Sequence, residues 1–129
     1  MTSSPPPVRG YLLFGHGARN PEWAQPMETA RQALQRRIPN APVALAFLEF
    51  LTPTLEEALA ALATQCTEVV IVPWFIAPGG HLLRDLPKLI EQFSAIHPEV
   101  RVVCLEAIGT WPEVIEAMAD AVMMRSKES

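Results

Sequence analysis

Four apolar runs constrain this chain more than any other feature. They are YLLF at residues 11–14, VALAFLEF at 43–50, VVIVPWFI at 69–76 and VRVVCLEAI at 100–108. None of them alternates polar with apolar, which is the pattern of strands covered on both faces and hence of a parallel sheet. Each run is followed by an apolar stripe at helical spacing. The first stripe is Met27, Ala30, Leu34 and Ile38; the second is Leu55, Leu59 and Leu62. The third is Leu82, Leu86, Leu89, Ile90 and Phe93, and the fourth is Val114, Ile115, Met118 and Val122. Four strand–helix units in a row predict an α/β domain. Right-handed crossovers then favour a single four-stranded parallel sheet in the order 2-1-3-4, flavodoxin-like, with helices on both faces. Thr52-Pro53 reads as the start of the second helix, and Thr110 with Glu113 as a capping box opening the fourth.

A length of 129 residues suits one domain with a proper core. Residues 1–7, rich in Ser and Pro, read as a disordered arm, 8–125 as the domain and 126–129 as a tail. A net charge of −4 argues against a nucleic-acid partner. No apolar run reaches the ~18 residues that span a membrane, and the N-terminus lacks a signal core. Cys66 and Cys104 form no CxxC pair and read as two reduced, buried thiols of a cytoplasmic protein. There is no GxxxxGK[ST], no GxGxxG after a strand and no GxSxG, which removes P-loop, dinucleotide and serine-hydrolase chemistry.

In an open sheet of this order, ligands bind at the carboxyl ends of the strands, where the strand order reverses. Three polar residues far apart in sequence fall on that rim: His16 after the first strand, Glu49 in the second and His81 after the third. Two imidazoles and a carboxylate suit a borderline divalent metal such as iron, cobalt or nickel, and either histidine can move a proton near neutral pH. Glycines beside both histidines leave room for a flat ligand and let the loop take positive φ values. Arg19 and Arg84 stand near the histidines, and Lys88 lies one turn beyond Arg84. A carboxylate in an apolar run is costly unless paired, so Glu49 has a structural alternative in Arg19 or Arg84. Arg84 has another in Asp85 or Glu91. His97, before a proline at a helix end, reads as structural. Trp74 and Phe75 read as core or pocket wall.

The segments LLFGHGARNP, FLEFLTPTLEEAL, VPWFIAPGGHLLRDLP and AIGTWPEV, in this order, resemble the small class II tetrapyrrole chelatases. These are the sirohydrochlorin cobaltochelatases and ferrochelatases of the CbiX/SirB type, and the resemblance spans residues 9 to 122. It implies insertion of a divalent metal, Co²⁺ first and Fe²⁺ or Ni²⁺ otherwise, into a sirohydrochlorin-like tetrapyrrole for cobalamin or sirohaem. It implies no permanent cofactor, and a homodimer in which each chain is a chelatase half. His16 and His81 would bind the metal and assist proton removal. Glu49 would join them in catalysis, with Arg19, Arg84 and Phe75 toward the substrate. Two positions depart from the family pattern: Ala18 where Ser is frequent, and Trp111 where many members carry His.

Rival readings use the same residues. A histidine phosphatase needs an arginine directly before the histidine, and that position is Gly15. A non-catalytic metal-delivery module would bind Co²⁺ or Ni²⁺ through the same two histidines, and turnover alone separates it from a chelatase.

Overall fold

The computed structural model describes residues 7–77 and 79–128, with the backbone alone for His81, Leu82, Leu83 and Glu128. Residues 1–6 of the expected arm therefore lie outside the described residues. Four strands, β1 (Arg9–Gly15), β2 (Val43–Phe47), β3 (Glu68–Pro73) and β4 (Arg101–Cys104), form one parallel sheet in the order β2-β1-β3-β4. The helices α1 (Gln25–Arg37), α2 (Leu55–Ala63), α3 (Gly80–Ile96) and α4 (Pro112–Glu128) follow the strands in turn. Short 3-10 turns at Pro21–Ala24 and Ile108–Thr110 precede α1 and α4.

The central strand explains the absence of alternation. Leu12 and Phe14 face the layer of α2 and α3, where they pack with Leu55, Leu59, Ile71 and Phe93. Leu13, on the opposite face, packs with Val43, Val70, Val72 and the α1 stripe Met27, Ala30, Leu34 and Ile38. Both faces of β1 are thus covered, and Leu12 and Leu13 are fully buried. Burial of each such side chain contributes roughly 1.5–3 kcal/mol.

Several local expectations need correction. The second strand ends at Phe47, so residues 48–50 are a bend rather than strand. The second helix begins at Leu55 and takes Thr54 as its cap, not Thr52. The Thr54 hydroxyl accepts from the Glu57 amide at 3.2 Å, and the Glu57 carboxylate accepts from the Thr54 amide at 3.0 Å. Thr110 forms no capping box with Glu113; its hydroxyl donates to the Ala107 carbonyl at 2.7 Å and closes the 3-10 turn. The tail expected at 126–129 is helical through Glu128. Cys66 is buried as expected, but Cys104 is exposed, because β4 is an edge strand with one open flank.

The largest departure is α4. Its stripe was expected to cover the sheet, yet Ile115, Met118 and Val122 are 47%, 38% and 63% exposed. Among the described residues its contacts are mainly with the preceding 3-10 turn. The cause lies just before the helix. Ile108 and Trp111 already pack on the α1 face of the sheet, and Trp111 takes an extended conformation that sends the chain outward. The Trp111 indole donates to the Glu106 carbonyl at 3.0 Å, which fixes that exit.

At the amino end of the sheet, Glu68 is buried and accepts Arg9 of β1 at 2.8 Å and Arg101 of β4 at 3.5 Å. One carboxylate thereby ties the starts of three strands together.

Candidate functional site at the carboxyl rim

The carboxyl ends of β1, β2 and β3 converge through backbone bonds. The Leu48 amide donates to the Gly15 carbonyl at 2.8 Å, and the Glu49 amide to the His16 carbonyl at 3.0 Å. On the other side, the Trp74 amide donates to the Phe14 carbonyl at 2.7 Å. His16 therefore sits between the segments that leave β2 and β3.

Its ring is exposed and is held from below. The His16 and Phe75 rings meet edge to face, with centroids 4.6 Å apart and planes at 89°. Phe75 is buried and makes a second edge contact with Phe14, at 6.1 Å. Expected as core or pocket wall and as a substrate contact, Phe75 lies in the core and buttresses His16 from below. Exposed apolar surface beside it comes from Ile76.

Around His16 the positive φ expected of the glycines is found at Gly17, whereas the expected clearance gives way to close packing. A Cβ at Gly15 would run into the Met27 side chain of α1, so Gly15 lets α1 close against the strand end. Gly17 has φ of 87°, a conformation that favours glycine, and the Glu49 carbonyl occupies the place of its missing Cβ. Clearance lies instead at Gly79, where an added Cβ would meet nothing within 4 Å.

Glu49 is exposed in the bend after β2, which removes the burial cost expected for a carboxylate within a strand. Among the described residues it forms no ion pair with Arg19 or Arg84, and Arg84 forms none with Asp85 or Glu91. Both arginines are exposed, and an added Cβ at Gly80 would lie 4.0 Å from the Arg84 guanidinium. The backbone places His81 in the first turn of α3, directly after the β3 exit loop. Its side chain lies outside the described residues. Among those residues no group of three or more His, Cys, Asp or Glu could hold a metal. His97 caps the far end of α3, stacked on Phe93 at 4.6 Å, remote from the rim as expected.

One residue of this rim escaped sequence reasoning. Phe50 is 56% exposed, has φ of 69°, and lies under the Arg19 guanidinium at 4.9 Å from its ring centroid. A bulky residue rarely adopts this conformation, and such strain tends to collect at functional sites. The only sequence signal was a second aromatic in FLEF, which the apolar run concealed.

The family described as CbiX matches residues 10–124. A sirohydrochlorin cobaltochelatase of Saccharolobus islandicus is 31% identical over 120 residues, covering 88% of this chain and 92% of its own. A solved CbiX protein from Marinobacter aquaeolei superposes with a TM-score of 0.79 at 29% identity, covering 94% of this chain and 99% of that one. The sirohydrochlorin chelatase SirB of Bacillus subtilis, solved with cobalt, gives a TM-score of 0.72 at 29% identity. There the match covers 94% of this chain but 50% of SirB.

Proposed function

The chain belongs to the CbiX family, and from that membership we propose that it is a sirohydrochlorin chelatase, inserting a divalent metal into the free tetrapyrrole. The observation that best supports this reading is His16, an exposed imidazole fixed at the switch point of the sheet by a buried aromatic. A nitrogen donor held in place at a rim is what a metal in transit requires, since it replaces water without a large rearrangement.

In this reading the ion is a substrate. It exchanges part of its water, released to solvent, for the imidazole nitrogens of His16 and His81, the latter on the turn that opens α3. The ring yields two pyrrole protons as the ion enters, and the ion's own charge eases their departure. Glu49, exposed beside His16, accepts a proton, as does an imidazole once the ion leaves it. Arg19 and Arg84 meet the peripheral carboxylates of the ring, where a planar guanidinium pairs in two-pronged fashion. Phe50 offers an apolar platform beneath Arg19, and Phe75 keeps His16 in place.

The reaction runs in the cytoplasm with no permanent cofactor. Two chains form a homodimer whose halves complete the cleft, a reading supported by SirB, which is about twice as long as the part this chain matches. The test is anaerobic incubation of the protein with sirohydrochlorin and Co²⁺, Fe²⁺ or Ni²⁺ in parallel. Time-dependent loss of the free-base absorption bands above the rate without protein supports the reading, and cobalt should be fastest. Metal binding without any change in those bands would replace it with metal delivery.

A further inference from the structure

We propose that Phe50 is a positioning residue: its ring holds the Arg19 guanidinium in place, with charge and N–H groups uncommitted, to receive a peripheral carboxylate of the tetrapyrrole. This rests on the chelatase reading above and names the residue that prepares the anion-binding side of that site.

Folding alone does not explain Phe50. Its φ of 69° favours glycine, so an aromatic side chain there costs backbone strain. Burial does not offset that cost, because the residue is 56% exposed. The ring instead serves Arg19, whose Cζ stands over it at 4.9 Å from the centroid. Strain kept for the sake of an exposed contact points to function.

The manner of holding matters. Arg31 of α1 is held by the Glu28 carboxylate, which accepts from its Nε and Nη2 at 2.7 to 3.0 Å. The charge of that arginine is matched and its fork is occupied. Arg19 is held by a ring face, which attracts the cation without accepting its N–H groups in conventional hydrogen bonds. Among the described residues its guanidinium has no carboxylate partner and no hydrogen bond. An arginine held in this way is ordered before the ligand arrives. Less rotamer freedom is lost on binding, and the planar fork stays open for a carboxylate.

The arrangement extends to the metal donor, because the two loops are joined. The Leu48 and Glu49 amides donate to the Gly15 and His16 carbonyls at 2.8 and 3.0 Å. The Glu49 carbonyl fills the place of the missing Gly17 Cβ. The Phe47 amide donates to the Pro53 carbonyl at 2.9 Å and closes the bend from behind. Phe50 therefore shares one framework with His16, and Arg19 follows that histidine by three residues. A carboxylate seated on Arg19 keeps the edge of the ring beside the imidazole that carries the ion.

The test is a mutant cycle on the full chain, read by equilibrium titration with metal-free sirohydrochlorin. It compares the parent, Phe50→Gly, Phe50→Tyr, Arg19→Ala and the Phe50→Gly, Arg19→Ala double variant. Phe50→Gly should weaken binding about two- to fivefold, the scale of one exposed cation–π contact. Its melting temperature should hold or rise, since glycine relieves the backbone. Phe50→Tyr keeps the ring face and should bind like the parent. In the Arg19→Ala background, Phe50→Gly should change binding no further. Sirohydrochlorin with its carboxylates esterified should bind the parent and Phe50→Gly alike. A lower melting temperature with binding unchanged would make Phe50 structural. An equal loss with and without Arg19 would make it a direct contact of the tetrapyrrole. Either result overturns the proposal. Metal insertion measured on the same samples keeps the two readings apart. A parent that binds sirohydrochlorin but inserts no metal refutes the chelatase, while the cycle still decides the role of Phe50. Insertion with losses that add refutes only that role, and a parent that does not bind sirohydrochlorin overturns both.

Discussion

The two ends of the sheet treat charge in opposite ways. At the amino end, one buried carboxylate, Glu68, holds Arg9 and Arg101 across three strands. At the carboxyl end, His16, Arg19, Glu49 and Arg84 are exposed. Among the described residues these four form no ion pair with one another. The difference separates two tasks on one scaffold. Paired charge at the base fixes strand register and consumes its own binding capacity. Unpaired charge at the rim leaves free donors and acceptors there, which the proposed reaction would use for an ion and a carboxylated ring.

This contrast predicts that substitutions at the two ends affect different readouts. The largest effect is expected for His16→Ala or His81→Ala, which should slow metal insertion by about 100-fold or more. The melting temperature should barely move. A rate within a few-fold of the parent in both variants would mean that the rim histidines do not carry the reaction. Next comes Glu68→Gln at the base. It should cost about 1–2 kcal/mol by loss of the paired carboxylate, seen as a melting point several degrees lower, with insertion retained. Equal stability would show that the ionic clasp contributes nothing to register. The smallest effect is expected for Arg19→Ala and Arg84→Ala. Each should raise KM for sirohydrochlorin several-fold with kcat little changed, as lost uniform binding does. A fall in kcat at constant KM would move these arginines from substrate binding into the chemical step.

The strand order was legible because cover on both faces of β1 and β3 leaves their interiors without polar alternation, Arg9 and Glu68 standing only at the strand starts, and connection rules then permit few arrangements. His16 and Glu49 were legible as rim residues because that order puts their strand ends side by side. Some features were overlooked and others lacked a local signal. Thr54 and Glu57 have capping-box spacing in the sequence itself, a spacing Thr52 lacks, and the Thr52-Pro53 pair drew the expected start two residues early. The bend that exposes Glu49 depends on its backbone bond to His16, a tertiary contact. The positive φ of Phe50 has no signature in a bulky residue. For α4, apolar spacing shows which residues share a face but not that the chain turns outward at Trp111 and leaves that face off its own sheet.

The claim at the centre of this account is that His16 and His81 hold the entering ion together. Its most direct measurement is Co²⁺ binding, without tetrapyrrole, to the parent, His16→Ala, His81→Ala and the double variant, followed by calorimetry and the visible cobalt bands. If the two imidazoles act as one site, each single variant loses nearly as much affinity as the double variant, and the parent alone shows nitrogen-ligated cobalt. Losses that simply add, or a double variant that binds like the parent, would contradict it.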